Sequence, residues 1–301
     1  MKRLFALGCS FTSYAWPSYA DFAGLYFDEY ENWAFPGLGN RALLERLSEI
    51  HATKNLTKQD TVIIQWTNPF RNDTHKFSEG HWRTKGSIFN FINSDRYNRK
   101  WLDEFFDEKS FCYHTLNNIH IAIHMLESIG CKWYFTSMGE INKAGSDYRK
   151  DDVRDHGEDI YTGEDLWEDK DLKVYKDKIY TPFKDHWLTP VGLYAWKSKH
   201  DCYTFFNNQY PKGNTANWFI GSKEDSYKDT HPSILQHKEY LDNIIIPALG
   251  LDSQNEPTQI NKWIDTVQEL YTKCGRSFKS FTKSIDDDHR MKNWYIKYRG
   301  M

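Results

Sequence analysis

The chain has 301 residues, of which 39% are hydrophobic and 27% charged, a composition typical of a globular protein and unlike that of a disordered one. This length predicts one elaborated domain with a large core. The net charge of −3 gives no overall attraction for nucleic acid, and no segment approaches the ~20 apolar residues that span a bilayer, so we expect neither as a partner.

The predicted elements begin with a short apolar run at residues 3–7, which Gly8 closes. Such a run indicates a strand that is buried on both faces. It also superficially resembles a lipoprotein signal, but it is shorter than the roughly 7–15 apolar residues of such a segment. We therefore expect no signal peptide and synthesis in the cytoplasm. The five cysteines form no paired CxxC framework, which favours reduced thiols.

Strands and helices then alternate along the chain. The predicted elements are a helix near 16–26, a strand at 31–35, a helix at 40–50, a strand at 61–67, a helix that ends at Gly130 and a strand at 131–138. This alternation predicts an α/β fold with a mostly parallel sheet and helices on both faces.

The alternation fails after residue 138. Residues 139–185 are rich in Asp, Glu and Lys and are too many for an ordinary connection. A last strand is predicted at 217–220, a closing helix at 232–247 and an amphipathic helix at 260–271. We therefore divide the chain into an α/β domain (1–138 and 216–250), an irregular insertion or cap beside the active edge (139–215) and a helical tail (251–301).

Residues that could perform one reaction follow the predicted strands. Ser10 and Asn68 each follow a strand, where open α/β sheets place their ligands. Gly37 lies in a turn whose N–H groups could bind an anion. Asp229 and His231 precede the closing helix, and an imidazole oriented by a carboxylate can take the proton of a serine. Taken alone, the Ser10 and Gly37 segments are better explained as a helix cap and a turn, and the other two segments also fit a turn or a cap.

In this order, the four segments resemble the sequence blocks of the SGNH/GDSL hydrolase superfamily. The matching segments are Gly8-Cys9-Ser10-Phe11, Asn32 through Gly37, Trp66-Thr67-Asn68 and Asp229-Thr230-His231-Pro232. The resemblance covers residues 1–70, 112–138 and 217–248, and the first segment is also similar to that of SGNH-like proteins encoded by bacteriophages.

The resemblance implies a three-layer α/β/α flavodoxin-like sandwich and the chemistry of a serine esterase. Ser10 would be the nucleophile, His231 its general base and Asp229 the acid of a catalytic triad. The oxyanion would be held by the N–H groups of Ser10 and Gly37 and by the side-chain amide of Asn68. The family mechanism requires no cofactor and no metal.

The sequence departs from the family pattern at three places. Cys9 replaces the usual Asp of the first block, and we interpret it as a small buried residue rather than a second nucleophile. Trp66 and Thr67 replace small residues before the amide donor, which predicts a narrower site. Asp229 lies two residues before the histidine, whereas three is the commoner spacing.

Three functions remain compatible with the sequence. The first is an esterase that removes small O-acyl groups, such as acetyl, from a carbohydrate, and an aromatic content of 17% favours a recognition surface of that kind. The second is a non-catalytic SGNH-fold module for binding or assembly, for example in a virion, with the tail helix docking a virion partner or a second copy in a homo-oligomer. The third is an acyltransferase, since one acyl-enzyme serves either fate.

Other residues have less specific patterns. His120 and His124 have a zinc-compatible spacing but lack the Glu of a metalloprotease helix, which favours packing or surface histidines. His237 is a candidate backup base, and Arg71 could hold an anionic substrate group or a surface ion pair. The acidic cluster at 151–159 does not follow an EF-hand pattern and is typical of a solvated loop.

Overall fold

The computed structural model describes residues 1–76, 81–83, 86–88, 96–142, 165–206, 226–229, 231–274, 277–291 and 294. The strands in these ranges are β1 (Arg3–Leu7), β2 (Glu29–Asn32), β3 (Thr61–Trp66), β4 (Thr74–Lys76), β5 (His81–Arg83), β6 (Lys132–Ser137), β7 (Thr204–Phe206) and β8 (Ser226–Lys228). The α-helices are α1 (Tyr19–Gly24), α2 (Asn40–Lys54), α3 (Arg99–Phe105), α4 (Glu108–Ile129), α5 (Val191–Lys197), α6 (Ile234–Tyr240), α7 (Ile246–Leu249), α8 (Thr258–Cys274) and α9 (Phe278–Asp287). Short 3₁₀- and π-helical turns cover 173–186, 241–245 and 253–255.

Four parallel strands form the central sheet, in the order β2-β1-β3-β6. Strand β1 pairs with β2 on one side and with β3 on the other, so the direction in which the sheet grows reverses at β1. Open parallel sheets bind ligands in the crevice that such a reversal leaves at the carboxyl ends of the strands. The other strands form two antiparallel pairs, β4 with β5 and β7 with β8.

Alternate residues of β1 enter two separate hydrophobic clusters, as the two-residue period of a strand requires. Phe5 and Leu7 join the first cluster, with apolar residues of α2 and α4. Leu4 and Ala6 join the second, with apolar residues of α1, α6 and α8. Every residue of β3 is buried, which explains the apolar run Val62-Ile63-Ile64 at its centre.

Local signals fix the ends of the helices around the site. Ser18 forms a capping box at the start of α1, and Ser233 forms another at the start of α6, two residues after His231. Gly130 ends α4 with a left-handed backbone (φ 72°), as predicted for a C-cap glycine. The capping boxes therefore set where the chain enters the helices that follow Ser10 and His231.

The predicted α/β class with a mainly parallel sheet is confirmed. The strands expected at 3–7, 61–67 and 131–138 lie within one residue of β1, β3 and β6. The strand expected at 31–35 is wrong in position, because β2 covers Glu29–Asn32. The chain nevertheless stays beside β1 past that point, since the Phe35 N–H donates to the Gly8 carbonyl at 3.1 Å. The strand expected at 217–220 lies outside the described residues.

Part of the predicted insertion packs on the domain. Leu166, Leu172 and Ile179 are buried in the first cluster, and the Leu188 N–H donates to the Phe135 carbonyl of β6 at 2.7 Å. Helix α5 approaches the carboxyl edge of the sheet so closely that a Cβ at Gly192 would lie 2.2 Å from the Met138 carbonyl oxygen. Residues 143–164 and 207–225, which include the acidic cluster, lie outside the described residues.

The C-terminal helices pack on the same domain. The apolar stripe of α8, which contains Ile260, Trp263, Val267 and Leu270, is buried in the second cluster. Helix α9, which was not predicted, adds Phe281 and Ile285 to it. Within the described ranges, no helix is long and apolar enough to cross a membrane.

Candidate active site

The loop that carries Ser10 is hydrogen-bonded to a buried glutamine of the neighbouring strand. Gln65 lies in β3, and its Oε1 accepts hydrogen bonds from the Cys9 N–H at 3.1 Å, from Cys9 Sγ at 3.2 Å and from Thr12 Oγ1 at 3.3 Å. Cys9 is completely buried, which confirms its interpretation as a small buried residue. These bonds join the end of β1 to the neighbouring strand, so the loop conformation depends on β3.

Gly8 is required by close packing. A Cβ at this position would lie 2.3 Å from Thr12 Oγ1, 2.7 Å from Thr12 Cβ and 3.0 Å from Gln65 Cβ. The missing side chain of Gly8 therefore lets the loop fold back over β3. The tight loop turns the Ser10 hydroxyl towards His231.

Ser10, His231 and Asp229 form one hydrogen-bonded series. His231 Nε2 lies 2.8 Å from Ser10 Oγ, and His231 Nδ1 lies 2.6 Å from Asp229 Oδ1. The Asp229 side chain is fully buried, Ser10 is 8% exposed and the His231 side chain is 21% exposed. The hydroxyl can thus pass its proton to an imidazole that remains accessible from outside, and the carboxylate is shielded from water. The structure brings all three predicted triad residues together.

Asp229 is held in its charged form. Burial by itself raises the pKa of this carboxyl, but the nearby His231 charge and the hydrogen bonds from His231 and Tyr14 outweigh burial and lower the pKa below its ordinary value. Tyr14 donates its hydroxyl to Asp229 Oδ2 at 2.8 Å. Both carboxylate oxygens therefore have a partner, since Oδ1 bonds to His231.

Two aromatic rings enclose the His231 imidazole. The Tyr14 ring stacks on it with a centroid distance of 3.8 Å and an interplanar angle of 16°. The Phe11 ring meets it edge-on, at 5.3 Å and 69°. Sequence reasoning missed Tyr14, although its place four residues after the nucleophile in an aromatic-rich loop is a signal that could have indicated it.

Two predicted oxyanion donors have N–H groups that donate to no described residue. Asn68 Oδ1 accepts from the Phe70 N–H at 2.7 Å, and no described residue accepts a hydrogen bond from its amide nitrogen. The Ser10 N–H likewise donates to no described residue. Gly37 lies in the turn beside this loop with φ 85°, a left-handed conformation that favours glycine. Such N–H groups can stabilise a negative oxygen that forms next to Ser10.

Helix α2 is anchored to this edge of the sheet at its first turn. Asn40 Nδ2 donates to the Thr67 carbonyl at 2.9 Å, and Asn40 Oδ1 accepts from the Thr67 N–H at 2.8 Å. The Asp73 carboxylate accepts from the Gly39 N–H at 2.8 Å and from the Ala42 N–H at 3.0 Å. An acidic group at a helix N-terminus satisfies otherwise unpaired donors and the helix dipole. These contacts fix the turns that carry Gly37 and Asn68.

The prediction that Trp66 narrows the site is wrong. Trp66 is fully buried in the first hydrophobic cluster and packs edge-on against Phe135, so it lines no open cleft. Thr67 is 3% exposed and its hydroxyl lies 3.1 Å from Asn40 Oδ1. Both side chains are part of the structural support of Asn68.

His237 is not placed to act as a base. It is 1% exposed, and burial, followed by the His231 charge, lowers its pKa to about 3. A ring of such low basicity remains neutral near neutral pH and cannot accept a proton there. Arg71 donates through Nη1 to the Leu38 carbonyl at 2.8 Å, which joins it to the turn after Gly37.

His120 and His124 lie on the surface of α4 with their Nε2 atoms 2.9 Å apart. Among the residues that the structure describes, no group of three or more His, Cys, Asp or Glu side chains is arranged to hold a metal ion. All five cysteines are free thiols.

No protein-family model matches this chain, and no curated protein matches it. The site itself combines a serine hydroxyl bonded to an imidazole with a buried carboxylate that orients this imidazole.

Proposed function

We propose that this protein is a serine hydrolase of the SGNH type that removes small acyl groups, such as acetyl, from O-acylated carbohydrates. The observation that carries the proposal is the continuous hydrogen-bonded series from Ser10 Oγ through His231 to Asp229. Residues that serve only as helix caps or in turns do not require a hydrogen bond between a distant serine and histidine. The bond between Ser10 and His231 is therefore better explained by nucleophilic catalysis.

The same proposal includes the fold. A flavodoxin-like sheet has the strand order 2-1-3-4-5, and the order β2-β1-β3-β6 corresponds to its first four strands. The two hydrophobic clusters, which contain alternate residues of β1, are what a three-layer α/β/α arrangement requires. Both features support a flavodoxin-like sandwich with Ser10 at its topological switch point.

Acylation follows from the distances in the site. As Ser10 Oγ attacks the ester carbonyl, His231 Nε2 takes the hydroxyl proton across 2.8 Å. Asp229 Oδ1 stabilises the imidazolium through Nδ1–H, and the N–H groups of Ser10, Gly37 and Asn68 stabilise the tetrahedral oxyanion. The imidazolium then gives its proton to the departing alcohol, which leaves an acyl-enzyme at Ser10.

The acyl-enzyme is hydrolysed by the reverse of these steps, with water in place of the alcohol. Water loses a proton to His231 Nε2 and attacks the acyl carbon, the same donors stabilise the second oxyanion, and the proton returns to Ser10 Oγ as the carboxylic acid departs. An acceptor sugar could replace water in this step, and the product would then be a new ester.

Exposed aromatic side chains support a carbohydrate substrate. Phe35 is 45% exposed and lies two residues before Gly37, in the turn beside the Ser10 loop. Trp196 is 52% exposed on α5, the helix that packs close to Phe11 through Gly192. Exposed aromatic rings near a polar site are suited to stacking on sugar faces.

A fluorophosphonate probe tests the nucleophile directly. We expect the wild-type chain to be labelled, Ser10→Ala to be unlabelled, and the control Ser13→Ala, a buried serine of the same loop, to be labelled normally. Acetate release from acetylated glycans, lost in Ser10→Ala and in His231→Ala, would identify the activity, and added acceptor sugars would reveal transfer. An unlabelled wild-type protein without turnover on any ester would favour the non-catalytic module instead.

A further inference from the structure

We infer that Tyr14 is a positioning residue for His231 and Asp229, and that the C-terminal helix α9 holds Tyr14 in place. The inference rests on the proposed function for its catalytic consequence, but its geometry is independent of any substrate. It also gives the tail a role inside the active-site domain.

Tyr14 contacts both residues that activate the serine. Its hydroxyl donates to Asp229 Oδ2 at 2.8 Å while its ring stacks on His231 at 3.8 Å. Because Asp229 Oδ1 already bonds to His231, the bond from Tyr14 prevents the carboxylate from rotating about Cβ–Cγ. Because the stacked ring covers one face of the imidazole, it keeps the imidazole from tilting away from Ser10. Tyr14 thus restrains both the rotation of the Asp229 carboxylate and the tilt of the His231 ring, and the proton transfer requires both groups to keep their orientation.

The stacking also favours the charged state of the reaction. The imidazole becomes a cation when it accepts the serine proton, and the face of an aromatic ring attracts a cation. The Tyr14 ring lies nearly parallel to the imidazole with its centroid at 3.8 Å, whereas the Phe11 ring is steeply inclined to the imidazole and its centroid is farther away, at 5.3 Å. Of these two neighbours, Tyr14 is therefore the one placed to stabilise the imidazolium.

Helix α9 packs against Tyr14 and against its neighbour Trp16. The Phe278 ring lies 6.1 Å from the Tyr14 ring, and the Trp16 ring meets Tyr14 edge-on at 4.8 Å. Trp16 in turn lies 5.8 Å from Phe281 of α9 and donates its Nε1–H to the Pro232 carbonyl at 2.9 Å. Helix α9 therefore contacts Tyr14 directly and is linked through Trp16 to Pro232, the residue that follows His231.

Three variants separate the two contacts of Tyr14. Tyr14→Phe keeps the ring and loses the hydroxyl, Tyr14→Leu loses both, and Tyr134→Phe is the control, because its hydroxyl bonds to the Ala248 carbonyl at 2.6 Å instead of to a triad residue. The first readout is kcat and KM on the best ester, together with the rate of fluorophosphonate labelling. The second is the downfield proton resonance of His231 Nδ1–H bonded to a buried carboxylate, which needs no turnover.

We expect Tyr14→Phe to lower kcat about 10-fold and Tyr14→Leu about 100-fold, with KM little changed, because a misplaced base costs rate rather than binding. The downfield resonance should shift in Tyr14→Phe and broaden or vanish in Tyr14→Leu, while Tyr134→Phe retains it. Wild-type kcat and an unchanged resonance in both Tyr14 variants would overturn the inference. If the wild type turned over no ester but its resonance responded as expected, the positioning role would stand and the hydrolase proposal would fail.

The support from the tail is tested in the full chain with Phe278→Ala. We expect labelling of Ser10 to slow several-fold with the downfield resonance broadened, whereas Phe105→Ala, which removes an exposed ring from α3, should label normally. A Phe278→Ala protein with the wild-type labelling rate and the wild-type resonance would contradict the role of α9. A melting curve on each variant shows that the protein compared is folded.

Discussion

One carboxylate oxygen of Asp229, Oδ1, accepts two hydrogen bonds from His231: one from the backbone N–H at 2.8 Å and one from the ring Nδ1 at 2.6 Å. The first bond is that of an Asx turn, in which an aspartate accepts from the residue two positions later. The second orients the imidazole. A spacing of two residues is thus compatible with triad geometry, because the same oxygen that closes the turn also holds the ring.

Asp229→Asn should abolish most activity while leaving the fold intact. The amide retains the shape of the carboxylate, but it removes the charge and can offer Nδ1 a donor, which stabilises the tautomer that cannot accept the Ser10 proton. A loss on the order of 10⁴ in kcat is expected for this change. Steady-state kinetics measure it, with a melting curve to show that the protein remains folded. A loss of less than 10-fold would show that Asp229 does not orient the base.

A pair of substitutions at Asn68 separates its two roles. Asn68→Asp keeps the oxygen that accepts from the Phe70 N–H but replaces the amide donor with a negative charge, whereas Asn68→Ala loses both functions. Loss of the donor should lower kcat about 10²–10³-fold in either variant, and more in Asn68→Asp, where the new charge opposes the oxyanion. Asn68→Ala should lose ~1 kcal/mol of stability in denaturant titrations, because the Phe70 N–H is left without its acceptor. Wild-type kcat in both variants would remove Asn68 from the oxyanion hole.

His237 makes the stability of the protein depend on pH. Burial and the His231 charge lower its pKa to about 3 in the folded state, from an ordinary value of 6.5. Below pH 6.5 the unfolded chain therefore binds a proton that the folded chain refuses, and the free energy of unfolding decreases as the pH falls towards 3. The contribution of one such proton is ~1.4 kcal/mol per pH unit.

His237→Leu should remove that contribution and keep the activity. We expect the free energy of unfolding of the variant to decline less steeply than that of the wild type between pH 6.5 and 4, measured by urea titrations at each pH. The difference between the two proteins isolates His237, because other acid-sensitive groups such as Asp229 are common to both. Equal slopes, or a large loss of kcat at neutral pH, would show that this histidine is charged or catalytic.

The strands and the residues at their ends could be predicted because their signals are local. Strands β1 and β3 are apolar runs buried on both faces, and the parallel sheet then requires Ser10 and Asn68 to lie at one edge. The alternation of side chains along β3 could also have predicted which of its residues faces the Ser10 loop. Val62, Ile64 and Trp66 share one face and enter the first cluster, whereas Gln65 faces the Ser10 loop. A polar residue within a buried strand is a recognisable signal that its side chain has a specific partner.

The remainder of the site depends on contacts between distant parts of the chain. Tyr14 and Asp229 are 215 residues apart, and nothing in the local pattern of either indicates the other. The N-terminus of α2 starts at a glycine without a side-chain cap of its own, and its donors bond instead to Asp73, 34 residues after Gly39. Helix α9 does have a local signal, since Phe278, Phe281 and Ile285 lie at helical spacing, and only its packing against Trp16 and Tyr203 depends on distant parts of the chain.

Asp73→Ala should destabilise the protein and slow the reaction together. Asp73 Oδ1 and Oδ2 accept from the Gly39 and Ala42 N–H groups, so the substitution leaves two buried donors at the start of α2 without acceptors. Loss of such a cap costs ~1–2 kcal/mol, which denaturant titrations will measure. The turn that carries Gly37 immediately precedes these residues, so a loosened helix start should also lower kcat several-fold. Asp265→Ala, which removes an exposed carboxylate from α8, should change stability by less than ~0.5 kcal/mol and leave kcat unchanged. An Asp73→Ala protein with wild-type stability and reduced kcat would instead show that Asp73 acts on the site electrostatically. A variant with wild-type stability and wild-type kcat would show that water replaces the Asp73 carboxylate at the helix.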